Sequence, residues 1–268
     1  MLARLERHLQ TRLFQRSGDG VSLTEDGDLL YESVSRSFLS IQSALDEIRR
    51  RKTGLETVTL SISSGFATHW LMPRIGALQE ACPHVDLRFQ LISGALRGPV
   101  DSVDLGMRFA NAGDAESEGA FFVNEVVFPV CSPAYLEKRG KAGQETFIHF
   151  AGGSVDWIDR LRVNRAAESH SDTLHFSDYA VVLQAALLGQ GVALGWINVV
   201  SHWLKTGALA PLGDPMKTER RCRLAAPRGK PMRAAVLAVR EWLISEMRRD
   251  LDEIEARHPR MGIKAASL

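Results

Sequence analysis

From Thr57 to Arg257 the chain alternates two kinds of apolar pattern, and this alternation restricts its fold more than any other feature. Short runs with strand character are TVTLSIS, VDLRFQLIS, VDLGMRFA, VNEVVFPVCS, TFIHF, TLHFS, VALGWI and RRCRLAAP. Between them lie helix-period runs: HWLMPRIGALQEACP, PAYLEKRG, DWIDRLRVN, DYAVVLQAALLGQG, VVSHWLKTG and the closing MRAAVLAVREWLISEMRRDLDEIEAR. Such alternation predicts an α/β fold with ligand sites at the carboxyl ends of the strands. The tail after His258 is expected to fray.

The segment before Thr57 follows different rules. Tyr31, Val34, Phe38, Ile41, Leu45 and Ile48 recur at spacings of 3, 4, 3, 4 and 3, a heptad row on an otherwise charged helix. Thr24 suits the N-cap, Glu25 and Asp26 the positive helix end, and Gly54 the stop. Two readings of the row are open: packing on its own domain, or pairing with a second copy. Ahead of the helix, Leu13-Phe14 and Val21 to Leu23 flank a SGDG turn, with Arg12, Arg16 and Ser17 around it. This is either a plain surface hairpin or a wing whose arginines neutralise phosphates.

The remaining totals set limits. A chain of 268 residues with 45% hydrophobic residues can bury one large core or two ordinary ones. Nothing in it has the length and apolarity of a membrane span, and MLARLERHLQTR is too charged for a secretory signal. Cys82, Cys131 and Cys222 form no CxxC pair, which fits free thiols in a reducing cytoplasm. A formal charge of +1 excludes a generally basic nucleic-acid coat but leaves room for a local basic surface.

The stretch LARLERHLQTRLFQRSGDGVSLTEDGDLL resembles the end of the recognition helix, the wing and the start of the linker helix in LysR-type transcriptional regulators. Leu5-Glu6, Leu9, Leu13-Phe14, Arg16, Gly20, Leu23-Thr24 and Gly27 carry the match. Further along, FATHWLMPRIGALQEACPHVDLRF, VDLGMRFANAG, FPVCSPAYL and FSDYAVVLQAALLGQGVALGW resemble the family's effector domain, in the subgroup typified by the glycine-cleavage activator. The resemblance implies a partial winged helix-turn-helix over 1–24 and a linker and dimerisation helix over 25–54. An effector-binding domain over 57–268 would follow, with two Rossmann-like subdomains of periplasmic-binding-protein type, the first about 57–131 and 222–268, the second about 132–221. It also implies promoter DNA, RNA polymerase and a small polar or anionic metabolite as partners, a homodimer or homotetramer, no cofactor or metal, and a cytoplasmic regulator that is not an enzyme. By the same resemblance, roughly 25–30 residues of the family's DNA reader precede this segment. Either the native start lies upstream, or the chain is a truncated regulator that binds effector and dimerises without reading a DNA sequence. Arg4, Arg12, Arg16 and Ser17 are the DNA-contact candidates.

For the effector, Ser64, Gly65, Phe66, Thr68 and His69 follow the first strand, where small hydroxyls and backbone N–H groups suit an anion. Capping by Ser64 or Thr68 is the competing reading. Ser93 ends the next strand. Arg108 ends the third, facing either an anion or an internal carboxylate, Asp101 or Asp104. Ser177 and Asp178 open the helix of the second half. Trp196 ends a strand, as rim or as core. Phe66, Trp157 and Trp196 together would make an aromatic cage for a cation. No GxSxG, HExxH, Walker or GxGxxG segment is present, and Ser132 with His149 lacks an orienting third group. No two histidines stand at i, i+4 on a helix with a third ligand, so no metal site is expected.

Overall fold

The computed structural model describes residues 2–17, 20–92, 96, 100, 103–111, 119–142, 146–151, 172–227 and 231–268. The expected helix DWIDRLRVN lies outside them, as do Ser93, Asp101 and Trp157. Contacts divide the chain into two units, Met1–Leu55 and Glu56–Leu268.

The first unit holds α1 (Leu2–Leu9), a hairpin of β1 (Phe14–Ser17) and β2 (Gly20–Leu23), and α2 (Glu25–Thr53). The hairpin pairs Phe14 with Leu23 and Ser17 with Gly20. Leu13 is its buried apolar anchor. Glu6 Oε1 on α1 accepts from Leu13 N at 2.9 Å, tying α1 to the hairpin. Thr24 Oγ1 accepts from Gly27 N at 3.0 Å and donates to Arg12 O at 2.6 Å, so the N-cap also holds the strand before it. Helix α2 ends where Gly54 takes a φ of +69°, a conformation that glycine adopts without steric cost.

The second unit is built on a nine-stranded sheet of order β4-β3-β5-β11-β6-β9-β7-β8, with β10 paired to β6. The strands are β3 (Glu56–Ser63), β4 (Val85–Ile92), β5 (Leu105–Ala110), β6 (Ala120–Cys131), β7 (Thr146–Phe150), β8 (Asp172–Phe176), β9 (Val192–Trp196), β10 (Ala210–Pro211) and β11 (Met216–Ala225). β3 pairs in parallel with β4 and β5, and β7 pairs in parallel with β8 and β9. These two parallel sets are bridged by β6 and β11. Antiparallel to each other, they run from one set to the other, with a bulge in β11 between Lys217 and Arg221. The short β10 was not anticipated, because two residues carry no periodicity.

Helices cover the faces. A short α3 (Ser64–Phe66) comes first, and the expected helix from His69 onward is broken into a π turn (Ala67–Leu71), a 3₁₀ turn (Met72–Arg74) and α4 (Ile75–Ala81). Pro73 is the physical reason: it has no N–H to donate to the carbonyl four residues back, so the ladder changes register around it. The others are α5 (Pro133–Ala142), α6 (Tyr179–Leu187), α7 (Ile197–Thr206), α8 (Ala234–Arg257) and α9 (Ile263–Ser267). The last corrects the expectation of a frayed tail. Gly262 turns the chain at φ +60°, Ile263 is fully buried, and Asn124 Nδ2 donates to Ala266 O at 3.1 Å. Among the described residues, no helix is long and apolar enough to cross a membrane.

Candidate functional site

The parallel strands of the two sets end toward each other, and the segments that follow them meet. β3 ends at Ser63, whose extended backbone lets its Oγ accept from Phe66 N at 3.1 Å. The cap is therefore Ser63, not Ser64 or Thr68. That leaves the Ser64 hydroxyl to donate across the interface to Asp178 Oδ1 at 2.7 Å. The same oxygen accepts from Ala180 N at 2.8 Å, so Asp178 both caps α6 and receives Ser64. Thr68 and Ser177, beside this pair in sequence, are exposed.

Gly65 has a packing role. A Cβ there would lie 2.8 Å from Tyr179 Cδ1, so glycine lets the Tyr179 ring close on α3. Tyr179 is itself buried, and its hydroxyl donates to Leu194 O at 2.7 Å and accepts from Trp196 N at 3.1 Å. Burial pushes its pKa far above the phenolic range, so it stays protonated. Tyr179→Phe keeps the ring but strands the Trp196 N–H and the Leu194 carbonyl. Its expected cost is about 1–3 kcal/mol, measured by urea unfolding, with little change if water enters.

Several other candidates are turned inward. His69 is 1% exposed. Its Nε2 lies 2.9 Å from Ala180 O, and Trp203 Nε1 donates to its Nδ1 at 3.1 Å, which assigns the proton to Nε2. Burial lowers its pKa, against the Ala180 bond and the Asp178 charge, which raise it. Both ring nitrogens are used within the protein, so His69 is a clip between helices and not a ligand donor. Phe66 is fully buried, stacked on Trp70 at 4.8 Å and edge-on to Phe122 at 5.9 Å. An aromatic cage cannot use it as an open wall.

Arg108 is 4% exposed; it donates to Met107 O at 2.8 Å and to Ser61 Oγ at 3.3 Å, and burial lowers its pKa. Asp104, one of its anticipated partners, instead pairs with Arg233 at 2.9 Å and accepts from Thr59 N at 2.9 Å. Ser132 uses its hydroxyl to accept from Tyr135 N at 3.3 Å, as an ordinary helix cap.

Trp196 is half-buried, and its Nε1 donates to Glu125 Oε1 at 2.9 Å. Glu125, 2% exposed on the bridging strand β6, also accepts from Arg220 Nε at 2.8 Å and from the Thr218 hydroxyl on the β11 bulge. This buried carboxylate fastens the two bridging strands to the end of β9. Glu125 is not among the residues singled out from the sequence, and its one signal there is that it stands as a lone glutamate inside the apolar run VNEVVFPVC.

In the first unit, Arg4 on α1 and Arg12 are exposed, while the side chains of Arg16 and Ser17 lie outside the described residues. The heptad row is exposed along its whole length, from Tyr31 at 62% and Phe38 at 67% to Ile48 at 53%.

The model of the LysR substrate binding domain matches residues 52–248. The chain belongs to this family. Its LysR-type relatives include the glycine cleavage system transcriptional activator of Escherichia coli (strain K12), 26% identical over 264 residues, which are 95% of this chain and 85% of that protein. The HTH-type transcriptional activator AmpR of Rhodobacter capsulatus is 26% identical over 249 residues, 91% of this chain and 85% of that one. Among solved structures, the AmpR effector binding domain from Citrobacter freundii superposes with a TM-score of 0.53 at 17% identity. It covers 72% of this chain and 99% of that chain, which establishes the shared LysR effector-domain fold.

Proposed function

We infer that this LysR-type chain is a cytoplasmic transcriptional regulator whose second unit binds a small polar or anionic metabolite, while α2 pairs with a second copy. The observation that carries the effector reading is the Ser64–Asp178 hydrogen bond at 2.7 Å. It joins the segment after β3 to the segment after β8, beside the Gly65–Tyr179 packing and the His69–Ala180 contact, while β6 and β11 bridge the two sets of strands. A ligand that takes over the Ser64 hydroxyl or the Asp178 carboxylate, with Thr68, Ser177 and Trp196 at hand, changes how the halves close. It acts by favouring one arrangement of two. In this reading the halves are the two subdomains, about 57–131 with 222–268 and about 132–221.

The DNA side rests on Arg4, Arg12, Arg16 and Ser17 at the hairpin end. These contacts set position on the phosphate backbone, and base reading belongs to the helix ahead of the wing. Dimerisation or tetramerisation rests on the exposed row Tyr31, Val34, Phe38, Ile41, Leu45 and Ile48.

Selection of bound duplexes from a random-sequence pool tests the DNA side: an enriched, two-fold symmetric site supports sequence-specific binding by this chain, and a flat pool rejects it and leaves the regulator that binds effector and dimerises without reading a DNA sequence. The pairing helix has its own test. Ile41→Asp with Leu45→Asp should weaken self-association by about 100-fold or more, because each dimer would bury charges at the seam. Sedimentation equilibrium with an unchanged dissociation constant would show that α2 does not pair.

A further inference from the structure

His149 on β7 and His175 on β8 are direct register partners of a parallel pair, so their side chains leave the same face of the sheet. Their ring centroids stand 5.2 Å apart with the planes at 63°. Two imidazoles bound to one tetrahedral ion through N–metal bonds of about 2.0 Å have centroids about 5.2 Å apart. A second observation is independent of this spacing: His149 Nδ1 is buried and has no hydrogen-bond partner among the described residues. A buried nitrogen without a partner is costly, and it usually has a water, an ion or a function to account for it. His175, in contrast, is exposed on β8, the last strand of the sheet order, which supplies a path for entry.

We propose that His149 and His175 form a site for a divalent transition-metal ion of the zinc class. Neutral imidazole nitrogens suit zinc, nickel and copper, whereas magnesium and calcium take oxygen donors. Among the described residues no third His, Cys, Asp or Glu completes the set, so water or a small anion takes the other positions. The bound ion would staple the edge strand β8 to β7, in the same half of the sheet as Trp196. The pair uses neither Ser64 nor Asp178, and it does not rest on the effector reading, because ion binding is measured without DNA or metabolite.

The test is calorimetric titration of the full, chelator-stripped chain with zinc chloride at neutral pH. One ion per chain is expected, with magnesium chloride giving no heat. His175→Ala and His149→Ala should each weaken binding by at least about tenfold, while His84→Ala, at an exposed histidine elsewhere, leaves it unchanged. His175 is exposed, so its variant remains informative even if His149→Ala does not fold. Absence of saturable zinc binding, or wild-type affinity in His175→Ala, overturns the proposal.

Discussion

Replacing Asp250 with alanine is expected to cost about 3–5 kcal/mol of folding stability, read as a lower urea midpoint at unchanged slope. Asp250 lies on α8 with no exposure, and four groups from other segments converge on it. Arg74 Nη2 reaches both carboxylate oxygens at 2.6 Å, Trp70 Nε1 donates at 2.8 Å, Ser201 Oγ at 2.7 Å and Lys205 Nζ lies 2.9 Å away. The π turn, the 3₁₀ turn and α7 are thus tied to α8 by one carboxylate. Arg74 is 7% exposed and would keep its bond to Trp70 O at 2.7 Å but lose its counter-charge, the costliest way to break such a pair.

Asp250→Asn keeps the shape but not the charge, and it should lose much of the same stability. The pH dependence has a definite direction. Burial alone raises the Asp250 pKa, but the Lys205 bond, the Arg74 charge and the Ser201 and Arg74 hydrogen bonds bring it below its ordinary value. A depressed folded value means the contribution is complete above the unfolded carboxylate pKa, about 3.9. It is lost as pH falls through the lower folded value. The gap between wild type and Asp250→Asn should therefore narrow only in strong acid. A wild-type midpoint in Asp250→Ala would show that water solvates Arg74 and that the cluster does not lock these helices.

Gly27→Ala should disrupt the first unit by about 3 kcal/mol or more, the upper range for forcing an atom into filled space. A Cβ on Gly27 would sit 2.0 Å from the Leu13 carbonyl oxygen and 3.0 Å from its carbon. Both are backbone atoms, so a rotamer change cannot relieve the clash. The same carbonyl accepts from Thr24 N at 3.0 Å, and Gly27 N donates to Thr24 Oγ1 at 3.0 Å. A side chain at Gly27 therefore opens the corner that joins hairpin to helix. Amide exchange in the full chain should show lost protection over residues 2–27, with the peptides of Glu56–Leu268 unchanged. Native protection of the Thr24 and Gly27 amides in the variant would rule out this account of the corner.

The positions of most strands and helices were legible because local periodicity reports which face of each element is apolar. TVTLSIS, TFIHF and VALGWI become β3, β7 and β9 within a residue or two. The interruption at Pro73 and the ordered α9 were less legible, since one depends on a missing donor and the other on the distant Asn124. At the candidate site, Ser64 and Asp178 stand out in sequence as residues opening helices, and the fold joins them. His69 and Phe66 stood out for the same reason of position, yet their side chains turn into the core. Position after a strand locates a residue along the chain but not the direction in which its side chain packs.

By itself the sequence determined the alternating strands and helices, the heptad row from Tyr31 to Ile48, the cap at Thr24 and the stop at Gly54. All of these depend on neighbours within a few residues. Only the tertiary structure decided that Glu125 would hold Arg220, that Asp250 would gather Arg74 and Lys205, and that His149 would face His175. Each of those pairings depends on strand register or helix docking between residues far apart in the chain. Register is chosen by how the whole apolar surface closes, and no short stretch of sequence carries that choice.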